Sequence, residues 1–358
     1  MKNTFGESVA LTLFGESHGY AIGAVLDGLA PGIEVDEDFI AKQMLLRRSI
    51  PSLSTPRKEA DKVKIVSGVF EGKTTGTPIT FIIENADTKS ADYSQMKTLA
   101  RPGHADYTAN AKYHGFQDYR GGGHFSGRLT APIVAAGALA ISALQKKGIY
   151  IGTHILSLEG ILDRGFENIN EDIKALNDMD FAVLDAEKSL EMQKAIEKAR
   201  KDGDSVGGVL ETVITGLPTG VGEPWFDTLE GRLAHMMFSI PAVKGVEFGD
   251  GFALANMRGS TANDNFTLQG TETNHCGGIL GGISNGMPVV MRCAVKPTPS
   301  IAKTQRTVNL KENRVEEISV HGRHDPAIVH RARVVADSAA ALVLCDALAL
   351  RFGTDFLA

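Results

Sequence analysis

Polar residues lie between glycines and prolines in four short segments of the chain. These segments read G-E-S-H-G at 15–19, R-P-G-H-A-D at 101–106, K-P-T-P-S at 296–300 and H-G-R-H-D-P at 321–326. No strand or helix face explains such runs, and loops on a rigid scaffold are the usual position of catalytic groups. Histidine titrates near neutral pH and suits proton transfer. We therefore expect the segments to converge on a site for acid–base chemistry.

Cationic side chains occur beside the same glycines and histidines and beside one predicted helix end. Paired guanidinium donors suit phosphate and carboxylate groups, so we expect an anion pocket with six fixed positive charges: Arg47, Arg48, Arg101, Arg128, Lys296 and Arg323. For Arg47 and Arg48, a simple interaction with the helix dipole is the alternative. The glycine clusters at 121–123 and 277–286 offer N–H groups to phosphate or flavin oxygens, although neither has a dinucleotide or phosphate-loop pattern.

Two other chemistries are open at this point. The segment 15–19 has the G-x-S-x-G form of a serine nucleophile turn around Ser17, but it lies at the N-terminus and no ordered acid and histidine follow in recognisable surroundings. A metal hydrolase would use histidine and aspartate ligands from three of the segments: His18, His104, Asp106, His324 and Asp325. Arg101 and Arg323 would repel a dication there, so we favour an anionic ligand and expect no metal.

Composition excludes several classes of protein. The net charge of -6 and the 6% aromatic content argue against a nucleic-acid partner. Three distant cysteines indicate neither a disulfide framework nor a zinc site. No basic segment followed by an apolar run opens the chain. The longest apolar stretches, Pro132–Leu144 and Ala339–Leu350, are too short to span a bilayer. We read both as buried helices of a cytoplasmic protein without a membrane partner.

The elements that must position these residues follow from periodicity and turn chemistry. Two β-rich runs, Val63–Phe70 and Pro78–Glu84, predict a hairpin. Further strands are expected at 208–216 and 287–295. Helices are expected at Asp36–Arg48 with Asp36 as N-cap and both arginines in the last turn, at Glu187–Asp202 and at Arg331–Phe352. No linker divides the chain. We expect one α/β domain over residues 1–358 with a peripheral elaboration around 163–203.

Six of these stretches also resemble the hallmark sequences of the chorismate synthase family. They are F-G-E-S-H-G at 14–19, R-P-G-H-A-D-Y-T at 101–108, A-V-K-G-V-E-F-G-D-G-F at 242–252, N-H-C-G-G-I-L-G-G-I-S-N-G at 274–286, K-P-T-P-S at 296–300 and G-R-H-D-P at 322–326. They stand in the family's order, and the resemblance runs from residue 14 to residue 326.

The resemblance implies a fold, a reaction and partners. The fold sandwiches helices between antiparallel β-sheets, and four subunits form a homotetramer. The reaction is the 1,4-anti elimination of phosphate from 5-enolpyruvylshikimate 3-phosphate, a small-molecule substrate, to make chorismate in the shikimate pathway of aromatic amino-acid biosynthesis. It requires reduced FMN without net redox change. The chain is of the shorter type without a flavin reductase segment, which implies an external flavin reductase with NADPH as the indirect electron source.

Residue roles follow from the matched motifs. His18 would be a proton donor near the leaving phosphate, His104 would protonate or stabilise the reduced flavin, and Asp325 would relay the ring hydrogen as a proton. The residues implied for the substrate are Ser17, Arg47, Arg48, Arg101, Ser126, Arg128 and Arg323. Those implied for FMN are His124, Phe125, Ser126, Ala242, Gly281, Lys296, Pro297, Thr298, Pro299, Ser300 and Arg323.

The chain departs from the family pattern at three places. His124 and Phe125 stand where the family has an arginine and a serine, Ala10 stands at a common arginine, and the segment after Arg48 is shortened. Two other hypotheses stay open beside the lyase. An ordinary flavin oxidoreductase would turn over redox pairs of substrate, and a non-catalytic anion-binding protein would not need His18 or His104.

Overall fold

A computed structural model describes residues 2–50, 53–54, 61–85, 97–320 and 325–358. The first seven strands are β1 (Thr4–Phe5), β2 (Ala10–Gly15), β3 (Ala21–Asp27), β4 (Val63–Ser67), β5 (Val69–Phe70), β6 (Lys73–Thr74) and β7 (Ile79–Glu84). Five of them form an antiparallel sheet in the order β1-β2-β3-β7-β4. The predicted hairpin is confirmed, because β4 pairs with β7 and the short β5–β6 ladder lies in the connection between them.

A second antiparallel sheet comes from the rest of the chain. Its strands and the small ladders around it are β8 (Tyr150–Leu158), β9 (Ile161–Leu162), β10 (Gly208–Thr215), β11 (Val243–Phe248), β12 (Phe266–Thr267), β13 (Gly270–Thr271), β14 (Ile279–Leu280), β15 (Ile283–Ser284), β16 (Val289–Val295), β17 (Gln305–Asn309) and β18 (Arg314–Ile318). The sheet order is β11-β16-β10-β8-β9. Strands β10 and β16 confirm the two strands expected at 208–216 and 287–295.

The helices are α1 (Glu37–Leu46), α2 (Asp106–Lys112), α3 (Thr130–Lys146), α4 (Ile169–Leu176), α5 (Ala186–Lys201), α6 (Leu229–Ser239), α7 (Gly259–Ala262) and α8 (Val329–Phe352). Short 3₁₀ turns cover Arg120–Phe125, Gly127–Leu129, Trp225–Asp227, Gly251–Asn256 and Thr354–Leu357. The N-cap of α1 is Asp36 as expected, and its side chain accepts a hydrogen bond from Phe39 N at 2.9 Å. The predicted C-terminus was wrong: α1 ends at Leu46, so Arg47 caps the helix and Arg48 follows it.

Helices α3 and α8 form the layer between the sheets. Helix α3 contacts β3 and β7, helix α8 contacts β8 and β10, and the two helices contact each other. A Cβ atom at Gly137 of α3 would lie 2.2 Å from Cβ of Ser338 in α8, so glycine permits this close approach. The arrangement confirms the fold expected from the resemblance, helices sandwiched between antiparallel sheets.

The apolar helix around α3 is longer than the sequence stretch indicated. Residues Gly127–Lys146 form 20 helical residues, long and apolar enough to cross a membrane, which corrects the expectation that the stretch is too short. However, 89% of an 18-residue apolar stretch within this helix is buried inside the protein. This burial agrees with the reading of the stretch as a core helix.

The segment expected to be peripheral contacts the second sheet. Helix α4 packs on β8 and β10, and α5 contacts β9. Arg333 of α8 donates from Nη2 to the carbonyl oxygen of Leu176, the last residue of α4, at 2.8 Å and to that of Met179 at 2.9 Å. The division of the chain into one domain with an elaboration around 163–203 stays a prediction.

Candidate functional site

The loop that carries His18 joins two neighbouring strands of the first sheet. Strand β2 ends at Gly15 and β3 begins at Ala21. Ser17 N donates to the carbonyl oxygen of Gly123 at 3.1 Å, and His124 Nδ1 donates to the carbonyl oxygen of Gly15 at 2.8 Å. The N-terminal loop is therefore held on the 3₁₀ turn Arg120–Phe125, which lies more than a hundred residues away along the chain.

Two of the three consecutive glycines in that turn lie against the two predicted catalytic histidines. A Cβ atom at Gly121 would lie 2.2 Å from Cε1 of His18, which is 6% exposed. A Cβ atom at Gly122 would lie 3.1 Å from Cε1 of His104. Both glycines also have positive φ, 58° and 84°, which other residues rarely adopt. The glycine run thus brings the two imidazole rings to adjacent positions on one backbone segment.

His104 belongs to a compact cluster with Arg101 and Asp106 at the start of α2. Arg101 donates from Nε to Oδ2 of Asp106 at 2.7 Å and from Nη2 to Oδ1 at 2.8 Å. His104 Nδ1 lies 2.9 Å from the same Oδ1. Burial favours the protonated form of Asp106, but hydrogen bonds from Arg101 and His104 outweigh it and hold the pKa of Asp106 far below its ordinary value.

The segment 296–300 lies against the 101–106 loop. Lys296 Nζ donates to the carbonyl oxygen of Gly103, and Arg101 Nη1 donates to Ser300 Oγ at 3.4 Å. Lys296 N donates to the carbonyl oxygen of Ala242 at 3.0 Å, and Ala242 has a φ of +77° that is unusual for a residue with a side chain. Two of the residues implied for FMN, Lys296 and Ser300, therefore contact the loop that carries His104, and Ala242 is attached to Lys296.

Two arginines share one buried aspartate next to this region. Arg47 Nη1 donates to Oδ2 of Asp61 at 3.0 Å, and Arg128 Nη1 donates to Oδ1 of Asp61. Burial would raise the pKa of Asp61, yet the charges of Arg47 and Arg128 lower it overall. Arg47 also donates from Nε to Thr130 Oγ1 at 3.0 Å and from Nη2 to the carbonyl oxygen of Gly127 at 3.2 Å. All three nitrogens of Arg47 thus contact protein groups.

Arg128 connects this pair to the His18 loop. Its Nε donates to Asn85 Oδ1 at 3.1 Å, and Asn85 Nδ2 donates to the carbonyl oxygens of Glu16 at 3.0 Å and Gly19 at 2.9 Å. Arg128 N also donates to Ser126 Oγ at 3.3 Å. The backbone that carries His18 is consequently held from two sides, by the glycine turn and by Asn85.

Asp325 comes to the same region from the end of the chain. Its carboxylate accepts a hydrogen bond from Arg331 Nη1, and Arg331 Nε donates to the carbonyl oxygen of Arg47 at 2.9 Å. His330 beside it is fully buried, and burial lowers its pKa to about 4. Its Nε2 lies 2.7 Å from Ser54 Oγ. Arg323 and the residues His321–His324 lie outside the described residues, so the prediction for Arg323 and the metal-ligand alternative at His324 fall there.

The structure also places three further residues that the sequence predicts to bind ligands. Arg48 is exposed just after α1. Gly281 is exposed in the β14–β15 turn, and its neighbour Gly282 contacts Glu223 and Thr228 rather than the loops around His18 and His104. Phe125 packs against Tyr113 with 6.0 Å between the ring centroids.

Sequence reasoning missed several residues that organise the cluster. Asp61 lies two residues before β4, Asn85 directly follows β7, and Arg331 lies in the first turn of α8. A polar residue directly after a buried strand is a usable signal for Asn85. A single aspartate or arginine without a motif offers no comparable signal. The sequence suggests Asp106 only as a metal ligand. Among the residues that the structure describes, no group of three or more histidine, cysteine, aspartate or glutamate side chains could hold a metal ion.

The cluster has features that fit an anionic flavin. The glycine run leaves no side chain between itself and His104, and the nearest atom of that ring lies 3.1 Å from where a Cβ of Gly122 would stand. Thr298 Oγ1 is buried without a hydrogen-bond partner among the described residues, and such a hydroxyl needs a partner. Lys296, two residues earlier in the chain, adds a positive charge to the same segment and contacts Gly103. The residues present therefore fit a phosphate-bearing cofactor at this point.

Comparisons with known proteins all point to one family. The family model described as chorismate synthase matches residues 9–349. The chain is 47% identical over 350 residues to a chorismate synthase of Pyrococcus abyssi, covering 97% of each chain. It is 46% identical over 353 residues to that of Thermococcus kodakarensis, again with 97% of each chain covered. A crystal structure of chorismate synthase matches with a TM-score of 0.76 and 30% identity, covering 97% of this chain and 94% of that one.

Proposed function

Because the chain belongs to the chorismate synthase family, we propose that it converts 5-enolpyruvylshikimate 3-phosphate to chorismate and phosphate. The reaction would be a 1,4-anti elimination by a carbon–oxygen lyase of the shikimate pathway, with reduced FMN as cofactor. The observation that carries the proposal is the placement of His18 and His104 against consecutive glycines. Two imidazoles beside one backbone segment can serve two proton transfers on one bound molecule.

The flavin-binding residues would be those around the glycine run and the 296–300 segment. Lys296, Thr298 and Ser300 would hold the phosphate end, since they include a fixed charge and a buried unsatisfied hydroxyl. Ser126 and the backbone of 121–124 would form one wall, with His124 holding the N-terminal loop in place. When bound, reduced FMN would supply transient electron density that eases cleavage of the C–O bond.

The protein's own groups would move the protons. His18 would donate toward the leaving phosphate, and Ser17 N is fixed to Gly123 O so that the loop keeps its place. His104 would hold or exchange a proton on the flavin side. Asp325 would act as the relay for the ring hydrogen, with its carboxylate oriented by Arg331. An imidazole can both donate and accept a proton, which suits the first two transfers.

The positive charge available to ligands is smaller than the six fixed charges expected from the sequence. Arg101 is paired with Asp106, while Arg47 and Arg128 share Asp61. Since every nitrogen of Arg47 contacts a protein group, we assign it the task of fixing Asp61 and Arg128. Arg101, whose three side-chain nitrogens also contact protein groups, would likewise hold Asp106 in place. Substrate phosphate and carboxylates would then be bound by Arg48, Arg128 and Arg323 with Ser17 and Ser126.

Assembly, location and electron supply are part of the same proposal. We expect a cytoplasmic homotetramer, since closed symmetry is usual for oligomers of this size, and an external flavin reductase that draws electrons from NADPH. Sedimentation at several protein concentrations checks the assembly. A monomer at every concentration would contradict it.

One anaerobic assay tests the function. Purified protein, chemically reduced FMN and 5-enolpyruvylshikimate 3-phosphate are mixed, and phosphate release and chorismate absorbance are followed together. Equal rates of both products are expected. Turnover of a redox pair in place of the phosphate ester would support an ordinary flavin oxidoreductase, and binding without any turnover would support an anion-binding protein.

A further inference from the structure

The nitrogen of His104 that faces away from the glycine run lies between two partners. Its Nδ1 is 2.9 Å from Oδ1 of Asp106 and 3.1 Å from Nη2 of Arg101. A guanidinium can only donate and an ionised carboxylate can only accept. Nδ1 must therefore either donate its proton to Asp106 or accept one from Arg101.

The charges around Asp106 decide between these two arrangements. Arg101 donates to both oxygens of Asp106 through its side chain, and its backbone N–H donates to Oδ2 at 2.9 Å. The carboxylate is therefore ionised. An unprotonated Nδ1 would place its lone pair 2.9 Å from that anion, whereas a protonated Nδ1 makes a charge-assisted hydrogen bond with it. The proton consequently belongs on Nδ1.

The other ring nitrogen faces the glycine run. A Cβ atom at Gly122 would lie 3.2 Å from Nε2 of His104, closer than ordinary van der Waals contact, so the glycine keeps this nitrogen open toward the site. The two nitrogens of one imidazole thus have different surroundings: Nδ1 faces an anion and Nε2 faces the open side of the backbone. A fixed tautomer is what a general acid or base requires.

We propose that Asp106 is a positioning residue for His104: its carboxylate keeps the proton on Nδ1 and leaves Nε2 as the nitrogen that exchanges protons at the site. Arg101 supports this arrangement by keeping Asp106 ionised and in place. The catalytic use of Nε2 rests on the proposed function. The tautomer itself is a property of the protein alone.

The test is nitrogen NMR of histidine-labelled protein without flavin or substrate, at a pH where His104 is neutral. The wild-type spectrum should show His104 protonated at Nδ1. Asp106→Asn keeps the shape but removes the charge, so it should lose this preference and show a clear population protonated at Nε2. His104 protonated at Nε2 in the wild type, or an unchanged tautomer in Asp106→Asn, would overturn the proposal.

Asp118→Asn is the matched control. Asp118 accepts from Arg120 at Nε (2.8 Å), Nη2 (2.7 Å) and the backbone N–H (3.0 Å), which repeats the Arg101–Asp106 pattern in the neighbouring turn. Its loss should leave the His104 signals where they are. If Asp106→Asn does not fold, the wild-type spectrum still decides the question.

Kinetics separate this inference from the proposed function. With reduced FMN, Asp106→Asn should lower kcat by about tenfold or more, with a smaller change in KM, because a misplaced proton affects the transfer step. A wild-type chain with the Nδ1 tautomer but no lyase activity would contradict the proposed function and leave the positioning role intact.

Discussion

Two clusters of histidine, carboxylate and arginine in this molecule have opposite surroundings. In the second sheet, His154 contacts Asp163 through Nδ1 at 2.7 Å and Glu211 through Nε2 at 3.2 Å, and Glu211 accepts from Arg292 Nε at 2.7 Å. Near the glycine run, the one carboxylate of the described residues that bonds to His104 is at Nδ1. The residue types are the same, yet the second nitrogen of His104 faces the site.

The two histidines differ in the surroundings of the second ring nitrogen, and these surroundings decide whether a ring can exchange protons with a ligand. Both nitrogens of His154 donate to ionised carboxylates, so its ring is held as a cation inside the protein. Burial opposes that charge most strongly, but hydrogen bonds to Asp163 and Glu211 outweigh it and raise the pKa of His154 above its ordinary value. The ring is fully enclosed. It can stabilise the sheet but cannot exchange protons with a ligand.

The largest expected effect is on stability. His154→Ala should lower the free energy of unfolding by about 3–5 kcal/mol, because it leaves buried carboxylates without their cation. His104→Ala should cost only about 1 kcal/mol, since Asp106 keeps its contacts with Arg101. Denaturant unfolding of both variants measures the difference. Equal losses would mean that the two clusters do not differ as described.

In turnover, variants near the glycine run should lose more than a variant of His154. His18→Ala, His104→Ala and Asp325→Asn should each lower kcat by about ten- to a thousandfold, as expected when one general acid or base is lost, while FMN still binds. His154→Gln should keep most of the activity at temperatures where it is folded. The measurement is anaerobic turnover with reduced FMN. Full activity of both histidine-to-alanine variants would rule out their proton-transfer roles.

Ligand binding should order only the cluster near the glycine run. Reduced FMN and the substrate are both anionic and would share one pocket, so each should order the loops for the other. We predict that FMN binds more tightly with substrate by about 1–3 kcal/mol. Arg48→Ala should weaken substrate binding more than FMN binding, and Lys296→Ala should do the reverse. FMN fluorescence titrations with and without substrate measure the coupling, and equal FMN affinity in both would contradict a shared pocket.

The smallest effect is a pH dependence of stability in the second sheet. Because the folded pKa of His154 is raised, its contribution is complete below its ordinary pKa of 6.5 and is lost as pH rises through the folded value. The pKa values of Asp163 and Glu211 are lowered despite burial, chiefly by hydrogen bonds to His154. Their contribution is present above their ordinary values, 3.8 and 4.5, and is lost as pH falls through the folded ones.

The wild type should therefore exceed His154→Gln in stability most clearly near pH 5–6, roughly between these ordinary pKa values. The advantage should shrink toward pH 9. Unfolding curves of both proteins at several pH values check this. An advantage that grows as pH rises would show that His154 is not held as a cation.

Local physical chemistry made much of this molecule predictable from its sequence. The hairpin of β4 and β7, strands β10 and β16 and the Asp36 cap depend on residues within a few positions of one another, so period and capping chemistry predict them. The resemblance of the motifs to the family also predicted the sandwich architecture. Asp106 lies two residues from His104, so even this contact was within reach of local reasoning.

Only the tertiary structure decided which distant groups meet. His18 and His104 come together because Gly121 and Gly122 have left-handed backbone conformations and no Cβ atoms, and no spacing in the chain encodes that meeting. The pairing of Arg47 and Arg128 on Asp61 joins three separate segments and removes charge that the sequence counted as available. Gly281 is expected near the flavin, but it lies in the β14–β15 turn. Its neighbour Gly282 contacts Glu223 and Thr228. Contacts of this kind depend on how the two sheets and the central helices pack, and each is a long-range consequence of burying the core.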